Sequence, residues 1–193
     1  MGRVRNGGVK LDTKERIIEL LMSTERPGIG NLILSMDEIQ FFDAPCSTQY
    51  HLACFGGLAR HSLNVYEFGV NHTGGLMNNS ISHWIIVSLL HDIGKAKYRG
   101  KENYIPNMLK GNVQSTVKPF ETNTDRLYIP HEIVSLQIVA KHIELTEEEE
   151  FAILYHNGLY VPSGRDVQGK ERPLQLLLHF ADMWCSRFIE KGC

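Results

Sequence analysis

The sequence predicts an all-α protein of one domain, with a small irregular or β-hairpin insertion near residues 98–129. Two segments, 17–21 (IIELL) and 176–184 (LLLHFADMW), place apolar residues at helical spacing. The segment 83–93 (HWIIVSLLHDI) is hydrophobic nearly all round, as expected of a helix at the centre of the core. Between residues 98 and 129 this pattern gives way to glycines, prolines, threonines and scattered aromatic residues, which indicates an insertion that is either irregular or a β-hairpin around Glu121 to Asp125.

Capping residues help to bound the predicted helices. Asp12 can cap the first helix and Ser82 the central one, while Thr146 with Glu149 forms a capping box. The first helix is expected to begin near residue 13, and the others to cover about 31–39, 58–70, 83–93, 131–143, 147–156 and 174–190.

Length and composition fit a single globular domain. The 193 residues are 42% apolar and 22% charged, and we expect a flexible tail at 1–10, one domain at 11–193 and a ligand-bearing core at about 50–190. The net charge of −2 indicates no general affinity for nucleic acid or anionic membranes. Neither an apolar run of membrane-spanning length nor a CxxC pair occurs, so we expect a reduced, cytoplasmic protein. The oligomeric state is left open.

Imidazoles and carboxylates recur in, or at the ends of, the most apolar predicted helices. A buried charge is costly unless it is paired, so these groups need a partner. A mixed nitrogen and oxygen set suits a divalent transition metal, which we expect as one or two ions of Mn, Fe, Co, Ni or Zn, with Mg also compatible. The candidate metal ligands are His61, His91, Asp92, His131, His156 and Asp182.

The remaining histidines lack this pattern. A single histidine is more often a surface or hydrogen-bonded core residue than a metal ligand. We therefore treat five as ordinary, with His51 the least clear case: His51, His72, His83, His142 and His179.

The strings GGLARHSLNV, LLHDIGKAK and LLLHFADMW resemble those of HD-domain metal-dependent phosphohydrolases. The order H…HD…D is matched by His61, His91, Asp92 and Asp182, and the resemblance covers about residues 50–190. It implies a bundle of about five core helices around a metal, and hydrolysis of phosphoester or phosphoanhydride bonds.

His131 and His156 fill the two positions that a paired metal centre uses in some HD subgroups. The chain is in this respect similar to HD-GYP phosphodiesterases and to the HD modules of bacterial ribonucleases. After His156, however, HNGLYVP stands in place of Gly-Tyr-Pro, which argues against a cyclic dinucleotide substrate. The ED signature of the alarmone hydrolases is also absent.

The resemblance implies a mechanism in which a water shared between two metals loses a proton and attacks phosphorus. Asp92 is the candidate catalytic residue that bridges the metals. The other ligands divide into His61, His91 and Asp182 on one metal and His131 and His156 on the other.

Basic residues supply the candidates for substrate binding. Lys95 is a second candidate catalytic residue because its ammonium can contact a phosphate, and a solvated lysine at a helix end is the alternative. Arg165, Lys170 and Arg172 lie in a loop between two ligand-bearing helices, where they either hold the substrate or are solvated. Glu132 either supports a ligand or is an ordinary first-turn glutamate.

We expect a small phosphorylated substrate, either a nucleotide or a short oligonucleotide, and no membrane partner. The basic cluster at 95–101 could contact such a substrate. The alternative is a non-catalytic metal- and nucleotide-binding HD module, acting as a sensor or interaction protein. Structural metal sites are usually closed, whereas six ligands shared by two metals leave positions for water and substrate, which favours the enzyme.

Overall fold

The structure, a computed structural model, describes residues 12–72 and 81–190. It confirms a mostly helical fold with a small β insertion, and the predicted tail at 1–10 lies outside the described residues. The helices are α1 (Thr13–Met22), α2 (Ile29–Glu38), α3 (Gly57–His72), α4 (Ile81–Leu90), α5 (His131–Val139), α6 (Glu147–Leu154) and α7 (Pro173–Trp184). Short 3₁₀ turns follow α4 and α6.

Capping boxes begin two of the helices, as the sequence indicates for α6. The Asp12 carboxylate accepts from the Glu15 backbone at 2.8 Å, and the Thr146 hydroxyl accepts from the Glu149 backbone at 3.3 Å. Ser82, in contrast, lies inside α4, so its predicted role as an N-cap is wrong.

Helix α4 lies at the centre of the core. All residues from Trp84 to Leu90 are buried, which fits a sequence that is hydrophobic nearly all round. It packs against α1, α3, α6 and α7. The residues that follow its C-terminal end at Leu90 therefore enter a space surrounded by helices.

The insertion, here called the arm (residues 98–129), consists of two nested antiparallel strand pairs. Strand β1 (Tyr104–Pro106) pairs with β4 (Phe120–Thr122), and β2 (Met108–Leu109) pairs with β3 (Val113–Gln114). A hairpin centred on residues 121–125 is therefore wrong in position: the chain reverses at 110–112, where Gly111 and Asn112 adopt positive φ.

A buried ion cluster, here called the Glu149 cluster (Arg26, His83 and Glu149), joins the α1–α2 connection to α4 and α6. Glu149 is fully buried. Arg26 donates to both of its oxygens, and His83 Nδ1 lies 2.8 Å from one of them. The other oxygen also accepts from the Thr146 backbone at 2.9 Å. The carboxylate is thus fully hydrogen-bonded by the protein.

The last turn of the fold departs from a regular α-helix. After α7, residues Cys185–Ile189 form a π-helical turn that brings Glu190 back into the core.

Cys46 and Cys185 are buried free thiols, but Cys54 is disulfide-bonded, so the expectation of reduced cysteines is wrong for Cys54. Among the helices of the described ranges, none has the length and apolar character that crossing a membrane requires.

Candidate metal centre

The His91-Asp92 pair lies just beyond α4 rather than within it. The helix ends at Leu90, and a 3₁₀ turn, Ile93–Lys95, follows Asp92. The helix predicted to reach residue 93 therefore ends three residues earlier, and Lys95 lies outside it. Both His91 and Asp92 are fully buried, so the turn delivers an imidazole and a carboxylate to the interior.

Four histidines from four parts of the chain converge on the Asp92 carboxylate. One oxygen, Oδ1, lies 3.1 Å from His131 Nε2 and 3.6 Å from His156 Nε2. The other, Oδ2, lies 3.5 Å from His91 Nε2 and 3.6 Å from His61 Nε2. The carboxylate thus stands between two pairs of imidazoles.

Asp182 completes the set on one side of Asp92. Its Oδ1 lies 3.2 Å from His61 Nε2. Burial alone would raise the pKa of Asp182, but the neighbouring His61 imidazole holds that pKa well below its usual range. All six predicted ligands therefore meet in one place. We call this group the Asp92 cluster (His61, His91, Asp92, His131, His156 and Asp182).

Each imidazole is oriented through its Nδ1 atom, which leaves Nε2 to face the centre. A histidine that binds metal through one nitrogen commonly donates from the other to a carboxylate or a backbone carbonyl. The Nδ1 partners are Glu190 for His61 (2.9 Å), the Ser88 carbonyl for His91 (3.0 Å), Glu132 for His131 (3.3 Å) and the Ile153 carbonyl for His156 (2.7 Å).

Three buried atoms of the cluster lack a well-formed hydrogen bond within the described part of the chain: His61 Nε2, His91 Nε2 and Asp92 Oδ1. Buried polar atoms normally have a partner, so this group indicates a missing one. The ligand atoms of His61, His91 and Asp182 lie within 4.8 Å of one another, as do those of His91, Asp92 and His156. Their mixed nitrogen and oxygen donors fit a divalent transition metal.

Lys95 places a positive charge beside the Asp92 carboxylate. Its Nζ donates to Asp92 Oδ2 at 2.6 Å, and its side chain is only 15% exposed, so the alternative of a solvated lysine is wrong. Burial would raise the pKa of Asp92, yet the charge of Lys95 holds it well below its usual range. Burial lowers the pKa of His91 to about 3. His91 is therefore neutral and able to bind a metal.

Gly94 sets how closely α5 approaches this turn. A Cβ at Gly94 would lie 2.2 Å from the His131 carbonyl oxygen and 2.8 Å from the Ser135 nitrogen. The Gly94 N–H also donates to Ser135 Oγ at 2.9 Å. The glycine thus lets α5 bring His131 against Asp92.

Of the three basic residues of the 158–172 loop, two have partners away from the Asp92 cluster and the third is exposed. Arg172 binds Glu148 in the first turn of α6, whereas His156 follows the last turn, about 12 Å further along at 1.5 Å per residue. Lys170 donates to the Asp166 carbonyl, and Arg165 is exposed. Their predicted substrate-binding role remains a prediction without a contact to the cluster.

Sequence reasoning missed Glu190, Cys46 and His51. Glu190 contacts His61 across 129 positions of the chain, which no local pattern reveals. His51 Nε2 lies 3.3 Å from Cys46 Sγ, and its ring lies 5.3 Å from that of His61. Burial raises the pKa of Cys46 to about 11 and lowers that of His51 to about 4, so both are neutral. The two form a neutral layer beneath His61.

The sequence profile of the HD-domain family matches residues 58–184, which is more than half of the chain. The chain therefore belongs to the HD-domain family. No curated protein and no solved structure gives a match. The matched range contains all six residues of the cluster and extends over α3 to α7, with the arm inserted between α4 and α5.

Proposed function

We propose that the protein is a metal-dependent phosphohydrolase that cleaves phosphoester bonds, with nucleotides or related phosphoesters as substrates. One observation carries the proposal: four histidines, three of them buried and His131 partly exposed, face a single buried aspartate through their Nε2 atoms, and a lysine ammonium lies beside it. Membership of the HD-domain family supports it, because this superfamily includes metal-dependent phosphohydrolases.

The proposed ligands form two sets that share Asp92. The metal, one or two ions of Mn, Fe, Co, Ni, Zn or Mg, would lower the pKa of a water molecule and neutralise charge on the phosphoryl group. The sets are His61, His91 and Asp182 on one side and His131 and His156 on the other. His131 and His156 are well placed to act together, because their Nε2 atoms lie 3.3 Å apart.

Lys95 is the proposed contact for the substrate phosphate. An ammonium has three N–H donors, and Asp92 takes one of them. Two donors are left for phosphate oxygens, at a side chain held in place by its ion pair. Lys95 also lines the cavity beside the cluster, so this cavity borders the residue whose ammonium pairs with Asp92.

The proposal is tested by metal analysis of the purified protein and by hydrolysis of bis-p-nitrophenyl phosphate with and without added Mn. We expect turnover that depends on metal and disappears with a chelator. Protein that binds metal and nucleotides but hydrolyses neither this compound nor any nucleoside mono-, di- or triphosphate, cyclic nucleotide or short oligonucleotide would instead be a binding module.

A further inference from the structure

A cavity of about 620 Å³ lies beside the metal centre, between the arm and the loop that connects α2 to α3. Phe55 of the loop lines it, together with Tyr104 and Phe120 of the arm. Lys95 lines it as well, and the same ammonium contacts Asp92. A molecule in the cavity would therefore contact Lys95, whose ammonium donates to Asp92. The volume is in the range of small-molecule sites.

We propose that this cavity binds the leaving group of the substrate, and that this group carries a planar aromatic ring, such as the base of a nucleoside monophosphate, stacked on Phe55. The inference rests on the proposed function, because the phosphate must lie at the Asp92 cluster for the rest of the molecule to lie here. The arm would then determine which leaving groups the protein accepts.

The state of Phe55 is the first argument. Its side chain is 72% exposed although it lines a concave surface, and its ring packs edge-on against Phe120, with centroids 5.7 Å apart and planes at 84°. Phe120 is itself only 3% exposed. Phe55 is thus supported by one aromatic neighbour while most of its surface remains free. Aromatic rings held in this way bind bases by stacking.

The mixed lining of the cavity is the second argument. Apolar side chains are accompanied by the exposed carboxylates of Asp43 and Glu102 and by the amide of Gln40. Glu102 lies 3.2 Å from Lys97, so acceptors and donors stand side by side. A polar heterocycle can use such groups through its ring nitrogens and amino groups, whereas an acyl chain would leave them without partners.

The rigid connection between arm and cluster is the third argument. Arg126 of the arm donates to the Gly94 and Ala96 carbonyls, each at 2.8 Å. These carbonyls belong to the turn that begins at Asp92. The cavity wall and the Asp92 carboxylate are therefore held at a fixed separation, as a site for two parts of one molecule requires.

The test compares two substrates of the Mn-loaded protein that differ only by the base: a nucleoside 5′-monophosphate and ribose 5-phosphate. The nucleotide used is the best of the four common ones. Phe55→Ala should lower the ratio of their kcat/KM values about tenfold, since loss of a stacking ring has an effect of this order. The ratio should fall because Phe55→Ala lowers the kcat/KM for the nucleotide more than the kcat/KM for ribose 5-phosphate, and Phe55→Trp should restore the ratio.

Tyr50→Ala is the matched control. Tyr50 is an aromatic residue of the same loop, 78% exposed and outside the cavity lining, so its loss should leave the ratio at the parental value. Both positions are exposed enough for alanine to be tolerated. An equal fall in both variants, or an unchanged ratio in Phe55→Ala, would overturn the inference.

Calorimetric titration of the metal-free protein with the same two compounds separates this inference from the proposed function. Turnover of bis-p-nitrophenyl phosphate without any preference for the nucleotide would overturn the cavity assignment and leave the phosphohydrolase standing. Nucleotide binding that depends on Phe55, in a protein without turnover, would do the opposite: the cavity would bind a ring, and the proposed function would fail.

Discussion

The Asp92 and Glu149 clusters are both built around a buried carboxylate, but they differ in how that carboxylate is satisfied. Both oxygens of Glu149 accept hydrogen bonds from the protein, with Arg26 contributing to each. Asp92 has the Lys95 ammonium on one oxygen, and its other oxygen lacks a well-formed hydrogen bond among the described residues. The protein satisfies both oxygens of Glu149, whereas the Asp92 cluster keeps buried donor atoms that could hold a metal ion.

This difference separates a structural ion cluster from a functional one. A buried charge that is fully paired holds elements together, and removing one partner costs stability. Stability alone does not explain a buried carboxylate surrounded by four imidazoles, because three buried polar atoms of this cluster lack a well-formed hydrogen bond among the described residues. Four changes test the distinction.

The largest effect is expected from Asp92→Ala. Because both proposed ligand sets share this carboxylate, metal content and turnover should fall to background. Asp92 lies beyond the end of α4, so the helical content should remain, which circular dichroism checks alongside metal analysis. Asp37→Ala, which removes an exposed carboxylate paired with Lys14, is the control. A folded Asp92 variant with full metal content would contradict the shared role.

The second effect distinguishes one metal from two. If His131 and His156 complete a second set, alanine at either position should leave about one metal per chain, and activity should fall strongly because the phosphate is held from one side only. Metal-to-protein ratios of the parent and both variants provide the measurement. A parent that never exceeds one metal in excess Mn would rule out the paired centre.

The third effect concerns stability rather than metal. Glu149→Ala leaves the Arg26 guanidinium buried without its partner, so the free energy of unfolding should fall by about 3 kcal/mol. Urea denaturation measures it, and the metal content of the folded variant should equal that of the parent. Glu148→Ala, at the exposed neighbouring position paired with Arg172, should change the free energy of unfolding by less than about 0.5 kcal/mol. Equal effects would mean that burial of the pair does not matter.

The smallest effect is expected at the support of His61. Glu190→Gln removes the charge that orients His61 through Nδ1, and loss of such a support typically weakens metal binding by about tenfold or more. Competition with a metal-binding dye measures the affinity. Glu171→Gln, an exposed position, is the control. An unchanged affinity would show that helix packing alone orients His61.

The sequence allowed the helices and the six cluster residues to be predicted because both depend on local signals. Apolar periodicity identified α3, α4 and α7, and a polar group in an apolar helix is conspicuous at Asp182. The exact end of α4 was missed, because Leu90, His91 and Asp92 have no cap or glycine between them. Only the tertiary structure shows that the chain turns there.

The insertion was predicted, but its strand pairing was not, because that pairing depends on contacts between distant segments. The same holds for the residues that support the Asp92 cluster. Strands β2 and β3 are two residues long each, too short for a pattern of alternation. Glu190 follows an ordinary helical sequence, and its role appears only when the π-helical turn brings it to His61. The Phe55 cavity likewise joins a loop and the arm across about 50 residues of chain.

The contact between His61 and Glu190 spans 129 positions, and this has a consequence for how the protein is made. Ribosomes add about 5–20 residues per second, so a nascent chain carries His61, His91 and Asp92 for on the order of ten seconds before α7 emerges. During that interval the imidazole of His61 has neither Asp182 nor Glu190 to orient it. We therefore expect the proposed metal to bind only after α7 has folded, so that the loaded fraction depends on the metal available to the folded protein.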